Sequence, residues 1–147
     1  MYAIITLGTI IAMEFVAWFT HKYVMHGFLW SWHKDHHIKT PGAVLEKNDR
    51  FFLVFAIPSA TLFVIGATTS FVIPWFIGLG ILIYGILYFL VHEIFIHQRI
   101  KLFKRTNQRY LKAIRKAHKV HHKHLTKEHG ECFGMLVVPF KYFREAR

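Results

Sequence analysis

The chain has one cysteine, Cys132, so no internal disulfide can form and no oxidising compartment is implied. Acid is scarce: eight Asp and Glu stand against nineteen Lys and Arg. There is no glycine-rich nucleotide-binding motif and no flavin or haem attachment signal, and 147 residues leave no room for a reductase domain. Any electrons must therefore come from outside the chain. Charge is missing from whole stretches. Residues 1–20 carry only Glu14, and no Lys or Arg falls there or near Ser70. A chain that is 54% hydrophobic, 17% aromatic and +11 in net charge fits bilayer spans beside a charged aqueous face. The same segregation argues against nucleic-acid binding.

Three apolar stretches are long enough to cross a membrane: residues 1–20, 51–69 and 71–91. The first lacks the basic start and small-residue cleavage site of a signal peptide, so it is expected to be retained. Glu14 in its middle must face other protein. Pro58 and Gly66 are potential kinks in the second. Gly78, Gly80 and Gly85 in the third would let neighbouring helices approach closely. The polar segments are 21–50 and 92–147, and they hold every Lys and Arg. The positive-inside rule then places both in the cytoplasm, with the N-terminus outside. The short apolar run 133–140 cannot cross and is expected at the interface or packed under the site.

What the chain has in excess is histidine, twelve in all. Ten form four tight groups: His21 and His26; His33, His36 and His37; His92 and His97; His118, His121 and His122. The order HxxxxH, HxxHH recurs on both sides of a span pair. On an α-helix, positions i, i+3 and i+4 share a face, so each HxxHH can point one way. The pairs five apart do not align on a regular helix. They need a π-type distortion, a helix end, or different metals. Ten imidazoles suit two metal ions, and imidazole suits Zn, Cu, Fe and Ni. Zinc has no redox chemistry, so iron with dioxygen is the expectation. Asp35 and Glu93 lie inside the groups and are candidates to accept a ring N–H from a ligating histidine. His124 and His129 fall outside the pattern and read as part of a solvated basic tail. Asn48 and Asp49 read as caps of the second span's helix. Phe15, Trp18, Phe19, Phe28, Trp30 and Trp32 read as an interfacial aromatic belt.

On these residues the chain resembles the membrane fatty-acid hydroxylase and desaturase superfamily, and within it the bacterial β-carotene hydroxylase family. The stretches that carry the likeness are HKYVMHGFLWSWHKDHH, LEKNDRFF, LYFLVHEIFIHQR and HKVHHKH followed by GECFGMLVVP. The resemblance implies an all-α integral membrane bundle of three or four spans, capped by cytoplasmic helices that hold a dimetal site. It implies that all ten grouped histidines bind two non-haem iron ions. The implied reaction uses O2 to hydroxylate C3 of the β-ionone rings of β-carotene, giving cryptoxanthin and then zeaxanthin. It implies a bacterial inner-membrane location and an external reductant, reduced ferredoxin, drawn to the basic face. Two alternatives stay open. One is a fatty-acid or sterol hydroxylase or desaturase on the same scaffold. The other is a membrane metal or haem carrier; a transporter would hold its ligands near the bilayer midplane, whereas these histidines lie beyond the expected span ends.

Overall fold

The computed structural model describes residues 1–38, 41–43 and 45–146. Lys39 and Arg147, two of the basic residues that orient the spans, lie outside the described residues. The described residues are helical with no strand. In chain order the helices are α1 (Tyr2–Phe19), α2 (Trp30–His37), α3 (Phe51–Thr68), α4 (Ile73–Tyr88), α5 (Arg109–His121) and α6 (Phe140–Glu145). Two π-helical stretches extend the spans: Thr20–Phe28 continues α1, and Phe89–Ile96 continues α4. A 3-10 turn, Lys47–Arg50, leads into α3.

With these extensions, three helical rods of 27, 22 and 24 residues are long and apolar enough to cross a membrane. They match the three expected spans; the first runs on past its expected limit to carry His21 and His26, and the third continues past the bilayer to the histidines that follow it, as its pattern implied. Ile4 and Ile11 on α1 and Phe52 on α3 are each more than 70% exposed. Such side chains would be unfavourable in water and are at ease against lipid.

α4 lies between α1 and α3. Glycine makes that possible at two points. A Cβ on Gly80 would sit 2.5 Å from Thr9 Cβ on α1, and one on Gly78 would sit 3.0 Å from the Ser59 carbonyl on α3. The Ser59 hydroxyl donates to the Gly78 carbonyl at 2.9 Å. Gly85, expected to join this packing, faces open space instead. α3 is a single helix through both Pro58 and Gly66.

Beyond the spans, the helical path breaks at Gly27 (φ −109°, ψ −123°), and the chain turns into α2. At the other end, Gln98 takes a positive φ of 56° and its side-chain amide donates to the Ile94 and Phe95 carbonyls. This closes the π-helical stretch just after His97. α5 is capped by the Gln108 side chain, which accepts from the Leu111 N–H at 3.0 Å. Its inner face holds Ala113, Ile114, Ala117, His118 and His121, and Tyr142 of α6 packs on Ala113 and Ala117. Within the basic stretch after His97, α5 is thus a helix laid over the histidines. Arg115 ties it down by donating to the Phe95, Phe103 and Lys104 carbonyls.

Candidate metal centre

Four helical pieces converge at one end of the bundle and bring the ten grouped histidines together. His21, His26, His33, His37 and His121 each offer a nitrogen within 4.8 Å of the others. His36, His97, His118 and His122 form a second group on the same terms. His92 joins that second group by packing: its ring stacks on His36 (centroids 4.8 Å) and lies edge-on to His118 (4.7 Å). The groups touch where His37 stacks on His122 at 4.2 Å. His124 and His129 belong to neither group.

The π-helical stretches explain the five-residue spacing. Widening the turn brings i and i+5 onto one face. The bond from His97 N–H to the His92 carbonyl, 2.9 Å, shows that wider turn. His21 with His26, and His92 with His97, therefore face the same group. Of the three ways to accommodate HxxxxH, this chain uses the π distortion.

The HxxHH triplets behave differently from the expectation that each points one way. His33 and His37, one turn apart, serve the first group, and His36 serves the second. In the later triplet His118 and His122 serve the second group, and His121 serves the first. Each triplet sends its middle histidine across. The i and i+4 rings lie over one another, while i+3 is rotated far enough on the α-helix to meet the neighbouring group. The ligand repeat seen in the sequence is thus a pair of pockets that exchange one side chain.

Each group is held from behind. In the first, Nδ1 of His21, His26 and His121 donates to the Phe133, Leu125 and Glu131 carbonyls at 3.0, 3.1 and 3.0 Å. His33 Nδ1 donates to Asn48 Oδ1 at 2.7 Å. These acceptors are all neutral. In the second, His36 Nδ1 meets Glu46 at 3.0 Å and His92 Nδ1 meets Glu93 at 2.6 Å. Arg99 binds Glu46, Glu93 and Asp49 at 2.7–2.8 Å and joins the three carboxylates into one network. Burial raises the Glu46 carboxyl, and the Arg99 guanidinium opposes that rise.

Burial, opposed by the Asn48 hydrogen bond, holds His33 down to about 3. Burial together with the neighbouring His26 holds His121 down to about 2. His36, His37 and His118 are lowered by burial and by surrounding imidazoles. Rings that are neutral and carry their proton on Nδ1 present a bare lone pair at Nε2. Yet Nε2 of His26 lies 3.2 Å from Nε2 of His121, and Nε2 of His21 lies 3.0 Å from Nε2 of His33. Lone pairs facing at that range repel unless a cation lies among them. In the second group, Nε2 of His36 and of His92 is buried without a hydrogen-bond partner. A pair of divalent ions fits both arrangements.

Of the two acids singled out in the sequence, Glu93 bonds a histidine as expected. Asp35 does not: its carboxylate takes the backbone N–H groups of Lys47 and Asn48 at 2.5 and 3.4 Å. It thereby fixes the turn that presents Asn48 to His33. Asn48 itself is no helix cap, because His33 engages its side-chain oxygen. Asp49 does cap, accepting from the Glu46 N–H at 3.0 Å. Sequence reasoning missed Glu46, Arg99 and the backbone carbonyls. Glu46 and Arg99 sit in LEKNDRFF and HEIFIHQR, beside the histidines yet without a spacing that marks them. Of the run 133–140, its first residue packs under the site, while Val137 and Phe140 are exposed. The Phe133 ring lies edge-on against His21, His26 and His121, with centroids 5.1–5.6 Å away.

Known proteins are similar to this chain over more than nine-tenths of it. It is 42% identical over 137 residues to a beta-carotene hydroxylase of Pantoea ananas, covering 93% of this chain and 77% of that protein. It is 37% identical to one from Paracoccus sp. (strain N81106 / MBIC 01143), over 92% of this chain and 83% of that protein. A chloroplastic beta-carotene 3-hydroxylase 2 of Arabidopsis thaliana is 32% identical over 92% of this chain and 45% of its own length. No solved structure matches the chain. Residues 6–140, which include all ten grouped histidines, match the Fatty acid hydroxylase family, and the chain belongs to that family.

Proposed function

We propose that this protein hydroxylates C3 of the β-ionone rings of β-carotene, giving cryptoxanthin and then zeaxanthin, with two iron ions held by its ten grouped histidines. The observation that carries the metal reading is the set of Nε2 atoms facing one another at 3.0 and 3.2 Å while each ring's Nδ1 bonds an oxygen acceptor. The substrate reading is supported by the names of the bacterial relatives and by the membrane-spanning helices that meet the site. In this reading His21, His26, His33, His37 and His121 hold one ion, and His36, His92, His97, His118 and His122 hold the other.

Bound iron would supply the redox capacity to use O2 against a C–H bond that is not allylic. The chain's own residues do the rest. The Nδ1 acceptors fix each ring's tautomer and direction. Trp30, packed on His26, His33 and His37, and Phe133 on the opposite rings keep water from the first group. Glu93 and Glu46, braced by Arg99, hold the second group against movement.

Wider features of the proposal follow from charge. The basic polar segments face the cytoplasm of a bacterial inner membrane. The electrons come from a separate acidic donor, reduced ferredoxin, attracted to that basic face. Residues 1–147 work as one hydroxylase unit, with no nucleic-acid partner.

The test joins metal analysis of the purified chain with product analysis in a β-carotene-producing bacterium. About two irons per chain, no Soret band, and zeaxanthin in the cells are expected. Iron-loaded protein that yields no 3-hydroxylated product would remove the carotenoid assignment and turn attention to fatty acids or sterols. A Soret band would replace the dimetal reading with a haem carrier.

A further inference from the structure

Glu14 lies in the apolar part of α1, about 10 Å along the helix from His21 at 1.5 Å per residue. A carboxylate at that depth is costly unless protein satisfies it. Here one oxygen, Oε1, accepts three consecutive backbone N–H groups, from Met135, Leu136 and Val137, at 2.8, 2.9 and 2.9 Å. The other oxygen accepts the Tyr84 hydroxyl at 2.7 Å. Successive N–H groups converging on one oxygen make an anion-binding concavity in the backbone. The segment comes so close that a Cβ on Gly134 would sit 2.8 Å from Oε1. Non-helical backbone beside a span is tolerated where its polar groups are satisfied by protein, and Glu14 satisfies three of them.

The same segment supplies much of the backing of the first histidine group. The Phe133 carbonyl takes His21 Nδ1 and the Glu131 carbonyl takes His121 Nδ1, both at 3.0 Å. Residues 131–137 therefore have their imidazole-facing carbonyls at one end and the Glu14 anchor at the other.

We infer that Glu14 is a positioning residue for the first metal: it anchors residues 135–137 and so places the Glu131 and Phe133 carbonyls that orient His121 and His21. This rests on the two-metal reading above. The experiment uses the full chain, iron-loaded in detergent, and compares wild type with Glu14→Ala, Glu14→Gln and Gly134→Ala. The readouts are iron per chain, the Mössbauer components of the ferrous protein, and helix content.

Glu14→Ala is expected to weaken one of the two irons by roughly 10–100-fold, the usual effect of losing support behind a ligand. One Mössbauer component should change and the other should stay. Glu14→Gln is expected to keep both irons, because the amide oxygen still accepts the three N–H groups. Gly134→Ala, which leaves the α1–α4 contact untouched, should disturb the same component as Glu14→Ala. If Glu14→Ala loses its helices, Gly134→Ala decides. A purely structural role would lower helix content and leave both components intact; that result overturns the inference while the two-metal reading stands. A wild-type chain that binds no iron overturns both.

Discussion

The two histidine groups are built from the same parts and wired differently. Each takes a five-spaced pair from a π-helical stretch, a four-spaced pair from one α-helix, and one ring from the other triplet. Behind the first group stand amide and backbone oxygens; behind His36 and His92 of the second stand carboxylates gathered by Arg99. A ring N–H that donates to a carboxylate makes its imidazole a stronger donor than one that donates to a neutral carbonyl. A repeat of histidine spacings therefore need not make two equivalent groups. The acceptors behind the rings set each group's electronic character, whatever rings it shares with the other.

The largest effect expected is from the crossing histidines. His36→Ala or His121→Ala should abolish hydroxylated product. Each should also cost the metal of the group opposite to its own triplet: His36→Ala the second, His121→Ala the first. Component-resolved iron spectroscopy checks this. Loss of the first metal from His36→Ala would break the exchange of ligands described above. His124→Ala is the control, with product near the wild-type level; total loss there would mean that the cluster extends further than the ten histidines.

Next in size, the wiring can be tested from behind. Glu93→Gln and Asn48→Ala should each weaken one metal by roughly 10–100-fold, in different groups. Glu93→Gln should also shift the potential of the second site upward, since a neutral acceptor replaces an anionic one. Equal potentials before and after that change would erase the electronic contrast between the groups.

The smallest contrast is expected in acid, where both groups respond alike. His33, His36, His37, His118 and His121 all have folded-state values below the ordinary 6.5. Between those values and 6.5 the unfolded chain binds more protons than the folded one. Stability of the metal-free protein is therefore full above about pH 6.5 and falls as pH drops, with a slope of up to about 1.4 kcal/mol per unit for each such histidine. Thermal unfolding of the metal-free chain between pH 7.5 and 5 measures it. A flat profile would show that these rings are not held neutral.

The three spans and the ten grouped histidines are legible from residue order alone. Hydrocarbon thickness demands about 20 apolar residues per crossing, and three runs meet that demand on composition alone. Histidine is rare enough that ten in two repeated spacings mark themselves without any fold. The tertiary structure decided what depends on direction. Whether five-spaced histidines align turns on a π-helical widening, which changes the angle per residue and leaves no mark in residue type. Which group His36 and His121 join depends on how α2 and α5 are rotated against each other. Glu46 reaches His36 across 10 residues, Asn48 reaches His33 across 15 and Arg99 reaches Asp49 across 50, and the Phe133 and Glu131 carbonyls belong to backbone that any sequence has. Glu14 was visible as a charge out of place; only the returning chain at 135–137 shows what that charge holds. Local composition fixes what a segment can bear, and the partners of a polar group are fixed by where distant segments come to rest.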